Sequence, residues 1–263
     1  MNSPGIAGNE QAAAEFVLYA HRGSTLLAPE NTLTAFQLAL KYGADVMEID
    51  VRLSRDGEVI VIHDERVDRT CNAQGRVRDL SLQKLKTLNA GHHFVDMEGR
   101  RYRDTKTSLL SLSELFELMP ETPVNIDIKD NSQAAAMAVA TVIEKSARTS
   151  SVNVGSFHSQ ALAHFRQRLP EVTTAASQAE VAQLYFKRGM YTSVAFQYLQ
   201  IPLRYMGVPL ATRSFIRHAS QRGIKSVFWT INDAHNMQML IARKATGLVT
   251  DRVDIAGPLL GKC

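Results

Sequence analysis

Hydrophobic and polar positions follow two rhythms along this chain. Short apolar runs of strand length recur as "FVLYA", "DVMEIDV", "EVIVIHD", "VNIDIK", "VNVGSF", "TTAAS", "SVAFQYL", "SVFWTIN" and "GLVTD". Between most of them lie longer stretches with apolar residues every three or four positions, such as "ENTLTAFQLALKYG", "LSELFELM", the alanine-rich segment 132–147 and "AHNMQMLIARKA". This alternation predicts parallel strands joined by helical crossovers.

Nine strand candidates are one more than a (β/α)8 barrel uses, and the surplus has a source. Only "SRDG" separates "MEIDVRL" from "EVIVIHD", too little for a parallel crossover, so these runs should form a hairpin turning at Arg55-Asp56-Gly57. The fold class expected is α/β: a TIM-type barrel with an inserted segment at about 65–107, rich in Arg and Asp. No Gly/Ser/Pro-rich linker, composition shift or internal repeat divides the chain. It reads as a flexible N-terminal tail over 1–15 followed by one barrel domain over 16–263.

The strand period places the chemistry. In "MEIDV", Glu48 and Asp50 share one face while Met47, Ile49 and Val51 take the other. In "VNIDIKD", Asn125, Asp127 and Lys129 likewise oppose Val124, Ile126 and Ile128. Polar residues alternating with Ile and Val, in strands that a barrel covers on both sides, mark a site unless that face meets water. Like charges this close raise one another's pKa unless a cation sits between them, so a divalent metal is the economical answer. With the hairpin turn at Asp56, His63 falls opposite or nearly opposite Glu48. His21 and Arg22 follow the first strand, at the end where barrel active sites gather. In the "PENT" segment, Pro29 suits the first turn of a helix beginning near Glu30, and Asn31 or Thr32 can cap it. Capping leaves His21 and Arg22 without explanation. Trp229, in "VFWTIND", is either a stacking platform for substrate or ordinary core.

Composition narrows the function. The net charge of +4 comes without a clustered basic run, so nucleic acid is not an expected partner. No stretch approaches the roughly 20 apolar residues of a transmembrane segment. The two cysteines, Cys71 and Cys263, form neither a disulfide framework nor a zinc spacing, which points to a reducing, cytoplasmic setting. Nothing in the sequence sets an oligomeric state. Two imidazoles, three carboxylates, a guanidinium and an ammonium at strand ends suit metal-assisted attack at phosphorus, with oxygen ligands favouring Ca2+ or Mg2+.

The series "HRG" with "PENT", "EID" with "SRDG" and "HD", "NIDIK", "WTIND" and "GLVTD" resembles the glycerophosphodiester phosphodiesterase family from about Phe16 to Asp254. The resemblance implies hydrolysis of glycerophosphodiesters, such as glycerophosphocholine or glycerophosphoethanolamine, to glycerol 3-phosphate and an alcohol. It casts His21 as general base and His63 as general acid. It makes Glu48, Asp50 and Asp127 ligands of one divalent cation, Ca2+ or Mg2+, and Arg22 and Lys129 phosphate contacts, with Glu30 in the same polar cluster. Where the family usually carries Glu, this chain has Asp127, one methylene shorter. A shifted strand, a bridging water or a preference for a tighter ion would accommodate it. Two other readings stand beside this one: a lysophospholipase D with an acyl channel formed by the aromatic stretch from Tyr191 to Tyr205, and a noncatalytic binder of phosphorylated ligands.

Overall fold

The computed structural model describes residues 16–186 and 194–263. The expected tail over 1–15 and residues 191–193 of the aromatic stretch lie outside the described residues. In chain order the strands are β1 (Val17–His21), β2 (Val46–Leu53), β3 (Val59–Val61), β4 (Leu110–Ser111), β5 (Val124–Ile128), β6 (Val152–Gly155), β7 (Thr173–Thr174), β8 (Tyr198–Ile201), β9 (Arg204–Tyr205), β10 (Val208–Pro209), β11 (Lys225–Phe228) and β12 (Gly247–Thr250). The helices are α1 (Leu33–Lys41), α2 (Leu82–Leu85), α3 (Leu112–Leu118), α4 (Gln133–Lys145), α5 (Ser159–Arg168), α6 (Gln178–Phe186), α7 (Arg213–Ser220), α8 (Ala234–Ala242) and α9 (Val253–Leu259), with a 3-10 turn at Val77–Asp79.

Eight parallel strands form the wall in the order β7-β6-β5-β2-β1-β12-β11-β8. Its ends meet where Ala175, just past β7, bridges Tyr198 in parallel and the Ala176 N–H donates to the Tyr198 carbonyl at 2.8 Å. This is the TIM-type barrel that the alternation predicts. The surplus strand is also accounted for. β3 pairs antiparallel with β2, Val51 facing Val61, and lies off the wall with β4. Gly57 closes the hairpin at φ +81, a backbone angle that glycine adopts freely, donating to the Ser54 carbonyl at 3.1 Å. Continuing the register by two residues sets His63 across from Ile49, one position from Glu48.

The helix after "PENT" begins three residues later than expected, at Leu33. Thr32 is its cap, accepting from the Ala35 N–H at 3.3 Å. Asn31 therefore stays free for another task. The run "IPLRYMGVPL" carries the β9–β10 hairpin.

The outward face of the wall is apolar: Leu18, Met47, Ile49, Val124, Ile126, Val154, Leu199 and Leu248 pack with helix residues such as Phe36, Val139 and Phe165 in the main core. Removing a fully buried ring such as Phe165 costs about 3–5 kcal/mol. Inside the barrel, Tyr19, Val227 and Val249 form a small apolar plug with Val17, Val46 and Tyr198 against it. The segment between β3 and β4, expected at about 65–107, builds a satellite core of its own from Val67, Cys71, Val77, Leu85 and Leu88 against Ile60 and Ile62. Among the described residues no helix is long and apolar enough to cross a membrane.

Candidate active site

A cavity of about 560 Å³ opens at the carboxyl ends of the barrel strands. Its floor gathers His21, Arg22, Glu48, Asp50, His63, Asn125, Asp127 and Lys129 from β1, β2, β5 and the segments that follow them and β3. Trp229 lines it as well. Of the nine predicted site residues, Glu30 alone stands behind the lining, where its carboxylate accepts from Arg22 Nη1 at 3.2 Å.

Strand pairing fixes the acids. Asp50 and Asp127 occupy the same register position on adjacent parallel strands, so Asp127 is not displaced along β5 by its shorter side chain. Lys129 Nζ lies between them, 2.9 Å from Asp50 Oδ1 and 2.6 Å from Asp127 Oδ2. Arg22 Nε approaches Asp50 Oδ2 at 3.0 Å, and the Arg22 N–H donates to Glu48 Oε2 at 3.1 Å. The freed Asn31 binds Asp50 from both ends: its Nδ2 donates to Oδ2 at 3.1 Å, and its Oδ1 accepts from the Asp50 N–H at 3.4 Å. Asn31 is almost completely buried in the left-handed region, φ 57, a conformation that asparagine tolerates better than most residues.

These surroundings divide the carboxylates. Burial and the neighbouring Asp50 charge push Glu48 up to about 7, against the pull of His21. Burial works against the Asp50 charge too, but Lys129, Arg22 and His63 outweigh it and hold its carboxyl below the usual range. Asp127 is raised, chiefly by burial, with Lys129 opposing and Asp50 reinforcing. The Lys129 ammonium and the Arg22 guanidinium, which is shared with Glu30, do not neutralise three buried acids. Asp127 Oδ1 is buried without a hydrogen-bond partner.

That excess of negative charge, all of it on oxygen donors, fits a hard divalent cation. Lys129 Nζ supplies positive charge between two of the acids, and among the described residues no three His, Cys, Asp or Glu side chains close into a ready-made metal cage.

Each histidine has a carboxylate behind it. His21 Nδ1 lies 2.6 Å from Asp251 Oδ1, which also accepts from Thr25 Oγ1 at 2.6 Å, while Asn232 Nδ2 donates to Oδ2 at 2.9 Å. Burial disfavours the Asp251 charge, but these hydrogen bonds and the imidazole bring it down to about 2. It is therefore an acceptor at neutral pH, Nδ1 of His21 must be the donor, and in the neutral ring Nε2 carries the proton-accepting lone pair. Burial lowers the His21 pKa, and the Asp251 hydrogen bond and Glu48 charge more than reverse that, leaving it above its usual value. His63 Nδ1 lies 2.7 Å from Asp64 Oδ1. Arg69 hydrogen bonds, set against partial burial and aided by His63, take Asp64 to about 2, so the same logic fixes this ring.

Sequence reasoning did not assign Asp251, Asn232, Asn31, Asp64 or Arg69. Asp251 ends "GLVTD" and Asn232 sits in "WTIND", two strand-end motifs that were visible but carried no partner. Asp64 follows His63 in "HD". Arg69, in the inserted segment, gives no local signal.

The opposite wall is apolar. Ala175, Val181, Ala182, Tyr185, Ile201, Val208 and Leu210 line it, and Trp229 meets Phe157 edge to face at 5.9 Å between centroids. Phe186, Tyr205 and Met206 stand at its rim, Met206 almost wholly exposed. His92 and His93 contact one another outside the cavity lining, and His158, at the start of α5, is outside it too.

Residues 21–255 match the family model described as the glycerophosphoryl diester phosphodiesterase family. A glycerophosphodiester phosphodiesterase of Caldanaerobacter subterraneus subsp. tengcongensis is 29% identical, with 89% of this chain and 93% of the relative aligned. A lysophospholipase D of Rattus norvegicus is 25% identical over 88% of this chain and 82% of its own. The structure of an Oleispira antarctica phosphodiesterase in complex with the product sn-glycerol 3-phosphate superposes with a TM-score of 0.74 at 23% identity, covering 94% of this chain and 96% of that one.

Proposed function

Because the chain belongs to the glycerophosphoryl diester phosphodiesterase family, we propose that it is a hydrolase releasing sn-glycerol 3-phosphate and an alcohol from glycerophosphodiesters. The observation that carries the reading is the meeting of His21 and His63 in one cavity with Arg22, Lys129 and three acids. Arg22 and Lys129 bind the phosphate oxygens and oppose the charge that grows on them. His21, its Nδ1–H held by Asp251, takes the proton of the attacking hydroxyl at Nε2. His63, held in turn by Asp64, delivers a proton to the departing alkoxide. The nucleophile is water or the substrate's own glycerol hydroxyl, the latter by way of a cyclic phosphate.

Glu48, Asp50 and Asp127 are the residues that would hold a divalent cation, Ca2+ or Mg2+, supplying Lewis-acid stabilisation of the phosphate. With β5 in register, a bridging water or a changed ion preference is what would accommodate the short Asp127 side chain. Two free cysteines, Cys71 buried and Cys263 exposed, suit a reducing, cytoplasmic location. The partner is the small-molecule diester; no nucleic acid is invoked.

The apolar wall favours a second reading in the same chemistry. A lysophospholipid could lay its acyl chain along α6 and the β9–β10 hairpin while its phosphodiester reaches the polar floor. Release of glycerol 3-phosphate from glycerophosphocholine, compared with head-group release from lysophosphatidylcholine, with chelator and with added Mg2+ or Ca2+, separates the two. Turnover of neither diester with any ion would sink both and favour a noncatalytic phospho-ligand binder.

A further inference from the structure

We propose that Arg69 is a positioning residue that ties the proton-transferring His63 to the phosphate-binding Arg22 from outside the cavity. This inference rests on the hydrolase reading above. Both edges of the Arg69 guanidinium are engaged. Nε and Nη2 donate to Asp64 at 2.6 and 3.1 Å, and Nη1 and Nη2 donate to Glu30 at 2.7 and 2.8 Å. Asp64 holds His63 Nδ1 at 2.7 Å, and Glu30 holds Arg22 Nη1 at 3.2 Å. His63 and Arg22 line the cavity, whereas Asp64, Glu30 and Arg69 do not. A single planar cation thus sets the spacing between two carboxylates, each fixed to a working side chain.

The bridge is anchored. Arg69 sits in a turn closed by the Cys71 N–H donating to the Val67 carbonyl at 2.9 Å, and both flanking side chains, Val67 and Cys71, are fully buried in the satellite core. The Asp68 carboxylate braces the same turn, accepting from the Gly75 N–H at 2.9 Å. The core of the inserted segment therefore acts as a mount for one side chain. Burial disfavours the Glu30 charge, yet hydrogen bonds from Arg69 and the charge of Arg22 hold its carboxyl below the usual range. Without Arg69, Glu30 and Asp64 would face each other across the gap with no shared counter-ion, and each would draw its working partner toward itself.

The bridge has an additivity signature that a merely structural arginine lacks. Arg69→Gln should raise KM for glycerophosphocholine, acting through Arg22, and lower kcat, acting through His63, each by about 10-fold or more, the loss typical of removing a group that orients an active residue. The KM effect should vanish in a Glu30→Gln background and the kcat effect in an Asp64→Asn background. Arg69→Lys, which keeps the charge but not the two-sided fork, should recover little of either and serves as the second variant should Arg69→Gln fail to fold. The imidazole N–H resonance of His63, identified by its absence in His63→Ala, should shift in Arg69→Gln. Kinetics within twofold of wild type, effects that add fully to Glu30→Gln and Asp64→Asn, or an unchanged His63 resonance would overturn the bridge. A wild-type chain without turnover would instead refute the hydrolase reading, and the His63 resonance would still decide the bridge.

Discussion

Replacing Asp251 by Asn changes no volume but inverts the logic behind His21. Oδ1 of Asp251 takes two donors, His21 Nδ1 and Thr25 Oγ1, both at 2.6 Å, and Oδ2 takes Asn232 Nδ2 at 2.9 Å. An amide in that place cannot satisfy all three. If its oxygen keeps His21 and Thr25, its NH2 confronts the Asn232 NH2. If it turns over, its NH2 faces Nδ1, which must become an acceptor and send the ring proton to Nε2, the nitrogen that has to accept from the nucleophile. Loss of one charge-assisted hydrogen bond accounts for about 1.5–3 kcal/mol, and loss of the correct tautomer costs up to about 10⁴ in kcat in other imidazole-carboxylate pairs. Asp251→Asn should therefore lower kcat by about 10² to 10⁴ with a much smaller change in KM.

Stability gives a second readout with a defined sign. The Asp251 pKa falls from 3.8 to about 2 on folding. A depressed acid stabilises above its unfolded value, and that contribution is lost as pH falls through the folded one. The shift is worth about 2.4 kcal/mol near neutrality, of which about 1 kcal/mol has gone by about pH 3. Urea denaturation of wild type and Asp251→Asn near pH 6 and near pH 3 should show a difference that narrows by that amount. From His21 the same pair has the opposite sense: its raised pKa stabilises fully below the ordinary 6.5 and fades as pH rises through the folded value. Near-normal kcat in Asp251→Asn, together with a stability difference independent of pH, would refute the argument.

Further expectations concern the remaining groups. His21→Ala and His63→Ala should each lower kcat by about 10² to 10⁴ with the fold retained by circular dichroism; a mutant with near-normal turnover would exclude that ring from proton transfer. Chelation should abolish turnover, and Mg2+ or Ca2+ should restore it, with Glu48→Gln or Asp127→Asn raising the ion concentration required; full turnover in chelator would exclude a cation held by these acids. Phe186→Ser combined with Met206→Ser should leave glycerophosphocholine kinetics nearly unchanged and raise KM for lysophosphatidylcholine, since both side chains stand at the apolar rim; equal effects on the two substrates would rule out an acyl-chain track. Gly247→Ala should lower the melting temperature, because a Cβ at the start of β12 meets the Val17 carbonyl of β1; an unchanged melting temperature would show that the two strands can part at no cost.

Much of this was written in local pattern. The period of two that separates Glu48 and Asp50 from Met47, Ile49 and Val51 carries both the barrel wall and its floor, since in a covered sheet one face is core and the other lumen. The hairpin was legible because four residues cannot cross over. The helix after "PENT" starts three residues past the predicted point because Thr32 and Asn31 are both good caps, and the choice falls to Asp50, which claims Asn31 from a different strand. Asp251 could be seen as a strand-end acid, but its pairing with His21 spans nearly the whole chain and exists only once β12 lies beside β1. Arg69 was hidden for the same reason: its partners are joined by tertiary contact, not by spacing.

The plug of Tyr19, Val227 and Val249 fills the barrel lumen, so among the described residues the site is reached through the mouth at the carboxyl ends of the strands. Traffic through it has to be ordered: whatever enters deepest departs last. Should the alcohol fragment of the proposed reaction face the mouth, it diffuses away first. The phosphorylated glycerol, held by Arg22 and Lys129 in that reading, would then block the next arrival until it goes, which would make the product a competitive brake.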